Sequence, residues 1–403
     1  MESLSLQGCS TITEIALVAI AENCPKLRNL NLSYCTGFRD AGLADVLVCM
    51  LHKPLNENSS PLSDLDMSFI EISPKGSGLD NVLRRILLDQ ARNPTEGPVL
   101  ESLRLAGCPM LSHLPFKVVL DASVVARKPL LGALKLLCLD GSAGLTGHFT
   151  LNIVRLQLAA PNLRSLQLYH VARATGWQPS VSTAGLPEEF SAGRAMWSDL
   201  RSFQITEASA SLQSRMAINV EYVFQMLRNS PLLDEIALLG FRHVYLDNLM
   251  QIFDPFTATG QPKHGLKRLV LDGTFSDFLN PSWHQLFATS YFQDTLEELS
   301  VIGSRDSFND QVCEELASKY PKLKSITARE TVVTEQGVLA LVKSAQRRGL
   351  LETGGGGGGG VGGMRNRKKP GFALNIDSCR SVDRKIRQAA SKGIYDLVEA
   401  LGL

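Results

Sequence analysis

The sequence carries no excess of charge of either sign: 41 lysines and arginines stand against 40 aspartates and glutamates in 403 residues. A near-neutral chain exerts no general pull on nucleic acid or anionic lipid, so neither is expected as a partner. It contains no long run of apolar residues free of charge, of the roughly 18 or more that a membrane-spanning helix needs. The opening MESLSLQGC lacks the basic and apolar regions of a secretory signal. The eight cysteines are spread out and form no C-x-x-C pair. Without a secretory signal they are expected to be reduced thiols in the cytoplasm and/or nucleus, with no zinc among them. G-x-S-x-G, H-E-x-x-H, the P-loop and the kinase motifs are missing, and the histidines (His52, His113, His148, His170, His243, His264, His284) show no ligand-like spacing. We therefore expect no enzyme, no cofactor and no metal.

What the chain has instead is one pattern repeated. The template is L-x-x-L-x-L-x-x-C, with any aliphatic residue at L and the cysteine often relaxed. Met1, Leu4, Leu6 and Cys9 are followed 26 residues later by Leu27, Leu30, Leu32 and Cys35. Twelve copies can be traced, the last being the partial Leu374, Ile376, Cys379. Two alternate aliphatics on a short strand point to one side, and a lone strand cannot bury them, so neighbouring copies must stack in parallel. The segments between them, such as DNVLRRILLDQARN and TEQGVLALVKSAQRR, have apolar residues at helical spacing and return the chain. Asp310 and Thr334 are expected as helix N-caps. The fold class expected is α/β, a leucine-rich-repeat solenoid with parallel strands on a concave face and helices on a convex one. Its stability should reside in the interfaces between repeats.

Three segments leave the pattern. Residues 172–198 are Gly/Pro/Ser-rich and read as a surface loop, an insertion or a binding element. Residues 354–363 are nearly all glycine and precede a basic cluster, Arg365 to Lys369. A flexible linker with a solvated charge run is the simple reading, and a nuclear-import signal or a contact for an acidic partner is the alternative. The C-terminal residues Ile386, Ala389, Ala390, Ile394, Leu397, Val398 and Leu401 outline an amphipathic helix or helix pair suited to cap a stack. The expected division is a solenoid over 1–351, a Gly-rich and basic linker over 352–370, and the last repeat with its cap over 371–403.

Cys9, Cys35, Cys108 and Cys379 hold one template position, where a small side chain turns inward and bonds backbone weakly, so they are read as structural. The residues flanking the inward aliphatics face out and form the readable surface. Early copies are small and polar there. Later ones place Ala237, Leu239, Val270 and Ile302 where water would be expected, bordered by Glu235, Arg268, Asp272 and Glu298. With Tyr169 on an earlier strand, Glu235, Leu239, Arg268, Val270, Asp272, Glu298 and Ile302 are the candidate site for a protein partner on the concave face. Cover by the protein's own loop, or a slight drift toward residues of high strand propensity, is the alternative.

The stretch ESLSLQGCSTITEIALVAIAENCPKLRNLNLSYCTGFRDAGL resembles the cysteine-containing class of leucine-rich repeats, L-x-x-L-x-L-x-x-C-x-x-I-T-D-x-G-L with a helix ending in C-P-x-L. Cys9, Ile12, Thr13, Glu14 and Cys24-Pro25-Lys26-Leu27 carry the match, as do Cys35 and Asp40-Ala41-Gly42-Leu43. Asn309-Asp310 and Thr334-Glu335-Gln336-Gly337-Val338 echo it later. Such repeats are typical of the F-box leucine-rich-repeat (RNI-like) family. The resemblance implies the substrate-recognition part of an SCF-type (cullin-RING) ubiquitin ligase acting in protein degradation. A scaffold or regulator without ligase attachment is the alternative, because no segment of this chain reads as an F-box. Since residue 1 already lies inside a repeat, we expect either that a region before Met1 supplies a cap and the adaptor contact or that another chain covers that edge.

Overall fold

The computed structural model describes residues 1–53, 57–73, 78–92, 100–108, 111–112, 114–142, 153–168, 197–206, 220–258, 260–276, 283–304, 308–351 and 371–402. They form two compact units, Met1–Leu232 and Leu233–Leu403. The glycine run and its basic cluster lie outside the described residues, as does Tyr169.

In the first unit a short strand recurs at every copy of the template: β1 (Ser3–Ser5), β2 (Asn29–Asn31), β4 (Asp64–Asp66), β6 (Ser102–Arg104), β7 (Leu136–Cys138), β8 (Ser165–Leu168) and β9 (Ser202–Thr206). β3 (Phe38–Arg39) and β5 (Ile72–Ser73) form a separate two-stranded ribbon. All pairs are parallel and in register, so Leu4, Leu30, Leu65, Leu103, Leu137, Leu166 and Phe203 fall in one row. From Leu30 onward this row is buried. The helices α1 (Glu14–Asn23), α2 (Asp40–Leu51), α3 (Gly78–Arg92), α4 (Leu114–Ala126) and α5 (Ile153–Ala159) pack on one another in chain order. A sixth, α6 (Val220–Arg228), closes the unit. Trp197, in the segment expected to be surface loop, is instead fully buried, its indole Nε1 donating to the Ala160 carbonyl at 2.8 Å.

The second unit repeats the plan with β10 (Glu235–Tyr245), α7 (Leu246–Phe253), β11 (Arg268–Ser276), α8 (Trp283–Thr289), β12 (Glu298–Ile302), α9 (Asp310–Lys319), β13 (Ser325–Arg329), α10 (Glu335–Arg347) and β14 (Ala373–Asn375). Its strands are again parallel, and Ile236, Leu269, Leu299, Ile326 and Leu374 form the buried row. Behind them Trp283, Phe287, Phe292, Phe308 and Tyr320 make a packed aromatic core, with the Tyr320 hydroxyl donating to the Phe287 carbonyl at 2.8 Å. The chain ends in α11 (Arg384–Lys392) and α12 (Ile394–Ala400), joined at Gly393, which bury Ile386, Ala390, Ile394 and Leu397. Parallel in-register strands alternating with helices define an α/β leucine-rich-repeat solenoid.

One detail corrects the sequence-based expectations. Helix α9 is capped by Asn309, whose side chain accepts from the Val312 amide, and not by Asp310. The Asp310 carboxylate instead reaches the following repeat, accepting from the Thr334 amide at 2.7 Å and bonding the Thr334 hydroxyl. Thr334 itself caps α10. The same tie recurs in the first unit between Asp80 and Ser112, whose amide lies 2.8 Å from the carboxylate.

The template cysteine has a defined job. The thiol of Cys35 donates to the Leu6 carbonyl at 3.1 Å, that of Cys108 to Met67 at 3.3 Å, and that of Cys379 to Ala328 at 2.8 Å. Ser142 donates its hydroxyl to Leu105 at 2.6 Å in the same way. Each bonds the last inward residue of the repeat before it. Cys9, expected to turn inward with the others, is exposed. Its repeat carries β1, and among the described residues β1 pairs with β2.

Candidate protein-binding face

The proposed site is built by three adjacent strands of the second unit. Register places Glu235, Arg268 and Glu298 in one row, Ala237, Val270 and Ser300 in the next, and Leu239, Asp272 and Ile302 in the third. All lie on the side of the sheet opposite the buried row, because strand side chains alternate.

The first row is charged and solvated. Arg268 Nε lies 3.2 Å from Glu298 Oε2, with both side chains substantially exposed. Glu235 stands on the other flank of Arg268. In the second and third rows Val270, Leu239 and Ile302 are half-buried. Leu239 and Ile302 are not neighbours, since Asp272 separates them. Val270, two residues before Asp272 on the same face, sits diagonal to both, within reach of long side chains. The apolar surface is therefore a triangle with an acid on its base and not a continuous strip.

Ala237, expected among the exposed residues, is only 2% exposed. Its methyl group lies beside the longer Val270 in the register. Cys138 in the first unit, which flanks the inward Leu137 and Leu139 and by the same rule should face water, is likewise buried, between Arg104 and Gln167 on the adjoining strands. Burial pushes its thiol up to about 12 and that of Cys108 to about 11, so both stay protonated at neutral pH.

Strands β10 and β11 also continue past this face. Their pairing runs on to Tyr245 and Ser276, with register shifts between Leu239 and Phe241 and between Arg242 and Val244. The template did not reveal this extension, although the aromatic and β-branched run in GFRHVY was a usable signal.

Elsewhere, a groove of about 580 Å³ between α2 and α3 is lined by Asp40, Asn81, Arg84, Arg85 and Asp89, among others. Its charges are largely consumed locally. Asn81 donates to Asp40 at 3.0 Å, holding that carboxyl below its ordinary range, and Arg85 pairs with Asp45. Among the described residues no group of three His, Cys, Asp or Glu converges on a metal position, and no helix is long and apolar enough to cross a membrane.

No family model matches the sequence, and no curated protein matches it. Among solved structures, the chain is similar to one described as the Rad7 and Elc1 complex in yeast, at 15% identity, over 93% of this chain and 73% of that one, with a TM-score of 0.44. It is also similar to the internalin InlF of Listeria monocytogenes, at 13% identity, over 86% and 78% of the two chains, with a TM-score of 0.42. A leucine-rich-repeat protein of Leptospira interrogans follows at 12% identity, 80% and 71% coverage and a TM-score of 0.32. These likenesses are distant, and the class rests on the register and repeat described above.

Proposed function

We propose that the chain is a non-enzymatic protein-interaction module, and that the β10–β12 face holds its partner. One observation carries the proposal: Leu239, Val270 and Ile302 are half-buried on a sheet face whose own border is charged. Apolar residues ringed by ion-forming ones are the usual anatomy of a protein interface. In its finer form, the partner is the substrate of an SCF-type ubiquitin ligase in the cytoplasm and/or nucleus. The support for that form is the cysteine-bearing repeat pattern of Cys9, Cys35 and their flanking residues. A scaffold lacking ligase attachment is the alternative.

The test has two arms. Leu239→Asp with Ile302→Asp should abolish partner capture while thermal unfolding stays nearly unchanged; an unfolded double variant would remove the assignment of these residues to a surface. Co-purification of the full gene product with a cullin adaptor supports the ligase form, and its absence while partner capture persists supports the scaffold.

A further inference from the structure

The three outward rows of the second unit carry five charged side chains on the strands β10 to β13: Glu235, Arg268, Asp272, Glu298 and Arg329. Four of them are engaged. Arg268 and Glu298 pair with each other at 3.2 Å, and neither Glu235 nor Asp272 is free. Arg329 is the exception. Its side chain is exposed and, among the described residues, has no hydrogen bond or ion pair.

The register fixes where this arginine stands. Arg329 is paired with Ile302 in the third row, and its carbonyl accepts from the Gly303 amide at 3.0 Å, so the end of β13 is held against the end of β12. Leu239, Asp272, Ile302 and Arg329 therefore follow one another on four adjacent strands. The second row continues from Val270 into Ser300 and Thr327, so the apolar surface stops at Ile302 on this side. Arg329 stands one strand beyond that border and two strands, about 10 Å, from Asp272.

We infer that Arg329 sets the specificity of the β10–β12 face by taking a carboxylate, the side chain of an aspartate or glutamate, from the protein partner. The inference rests on the function proposed for that face. A specific interface covers about 800 Å² of each partner, far more than three half-buried side chains offer. A protein seated on Leu239, Val270 and Ile302 therefore also covers the next strand. An arginine stripped of water without an acceptor is costly, and the four other charges of these rows have interactions of their own. The counter-charge for Arg329 has to come from the partner. A single guanidinium fits the two oxygens of one carboxylate. Phosphate-reading sites gather several arginines, whereas the other arginine of these rows, Arg268, is held by Glu298. The partner thus presents a large apolar side chain with an acid within about 10 Å of it.

A random dodecapeptide display library, selected on the intact chain and counter-selected on the Leu239→Asp, Ile302→Asp variant, supplies peptides that need the face. Their affinities are then measured on the intact chain and on Arg329→Gln, each with the original peptide and with its acid changed to the amide. The Arg329 side chain has no polar partner within the chain, so Arg329→Gln should melt at the wild-type temperature. The expected result is a family of peptides that share an aspartate or glutamate near a large apolar residue and bind Arg329→Gln about tenfold more weakly. The amide peptides should lose about as much on the intact chain and nothing more on the variant, the mark of a direct pair. Failure to enrich any peptide that needs Leu239 and Ile302 would remove the function proposed for the face and this inference with it. Peptides that need those two residues but share no acid, or that bind Arg329→Gln as tightly as the intact chain, would overturn the inference and leave the face standing.

Discussion

The main sheet of the first unit is made of strands three to five residues long that pair without a register shift, whereas β10 and β11 of the second run eleven and nine residues and slip twice. Both kinds bury the same alternating aliphatic row. Three residues are therefore enough to stack a repeat, and the extra length of β10 and β11 is not needed for stacking. The outward rows differ too. In the first unit they are mostly small and polar, as at Ser5, Asn31 and Asp66. In the second they hold Leu239, Val270 and Ile302. The stack is made by what the units share, and the partner choice we propose is carried by what they do not.

The largest effects should fall on the shared row. Leu103→Ala in the first unit and Leu269→Ala in the second each delete a fully buried side chain and should cost about 3 kcal/mol in denaturant unfolding. A much smaller loss in one unit would break the equivalence. The raised thiols come next. Cys108 and Cys138 ionise near 9 in an unfolded chain but only near 11 and 12 when buried. Their contribution is fully present below pH 9 and is lost as pH rises toward those values, because the unfolded chain gives up its protons first. Thermal scans from pH 8 to 11 should show this fall, and Cys138→Ala should make it shallower.

Arg348 is specific to the second unit. Its guanidinium donates to the carbonyls of Tyr320, Pro321 and Leu323 at 3.0, 3.2 and 2.9 Å, tying the end of α10 to the turn before β13. Arg348→Ala should cost about 2 kcal/mol by leaving part-buried carbonyls unpaired. The smallest effect is expected at the exposed Arg268–Glu298 pair, where Arg268→Ala should change stability by less than about 1 kcal/mol. Its influence should appear instead in partner capture and in the salt dependence of the association rate.

The repeat was legible in the sequence because L-x-L is a direct physical demand of the stacked strand, and every described copy from Leu30 onward obeys it. Asn309 and Asp310 could not be ordered in advance, since both residue types cap helices and only the neighbouring Thr334 decides which carboxyl is used elsewhere. Ala237 and Cys138 were misplaced because exposure on a sheet depends on the length of the side chain one strand away, which no single repeat encodes. The left-handed turns at Tyr34 and Phe69 left a trace that alignment of copies reveals: Gly8, Tyr34, Phe69, Gly107 and Gly141 occupy one position, and three of the five are glycine. The stacking of the Tyr34 and Phe69 rings follows only once the strands are in register.

Photo-crosslinking tests the central claim most directly. A photoreactive phenylalanine analogue placed at Val270 lies in the middle of the proposed face, and one placed at Ser165 lies on the polar face of the first unit. In cells that express the chain with its natural partners, irradiation should join a protein to position 270 and leave position 165 largely unreacted. The same partner attached at 165 and not at 270 would contradict the account.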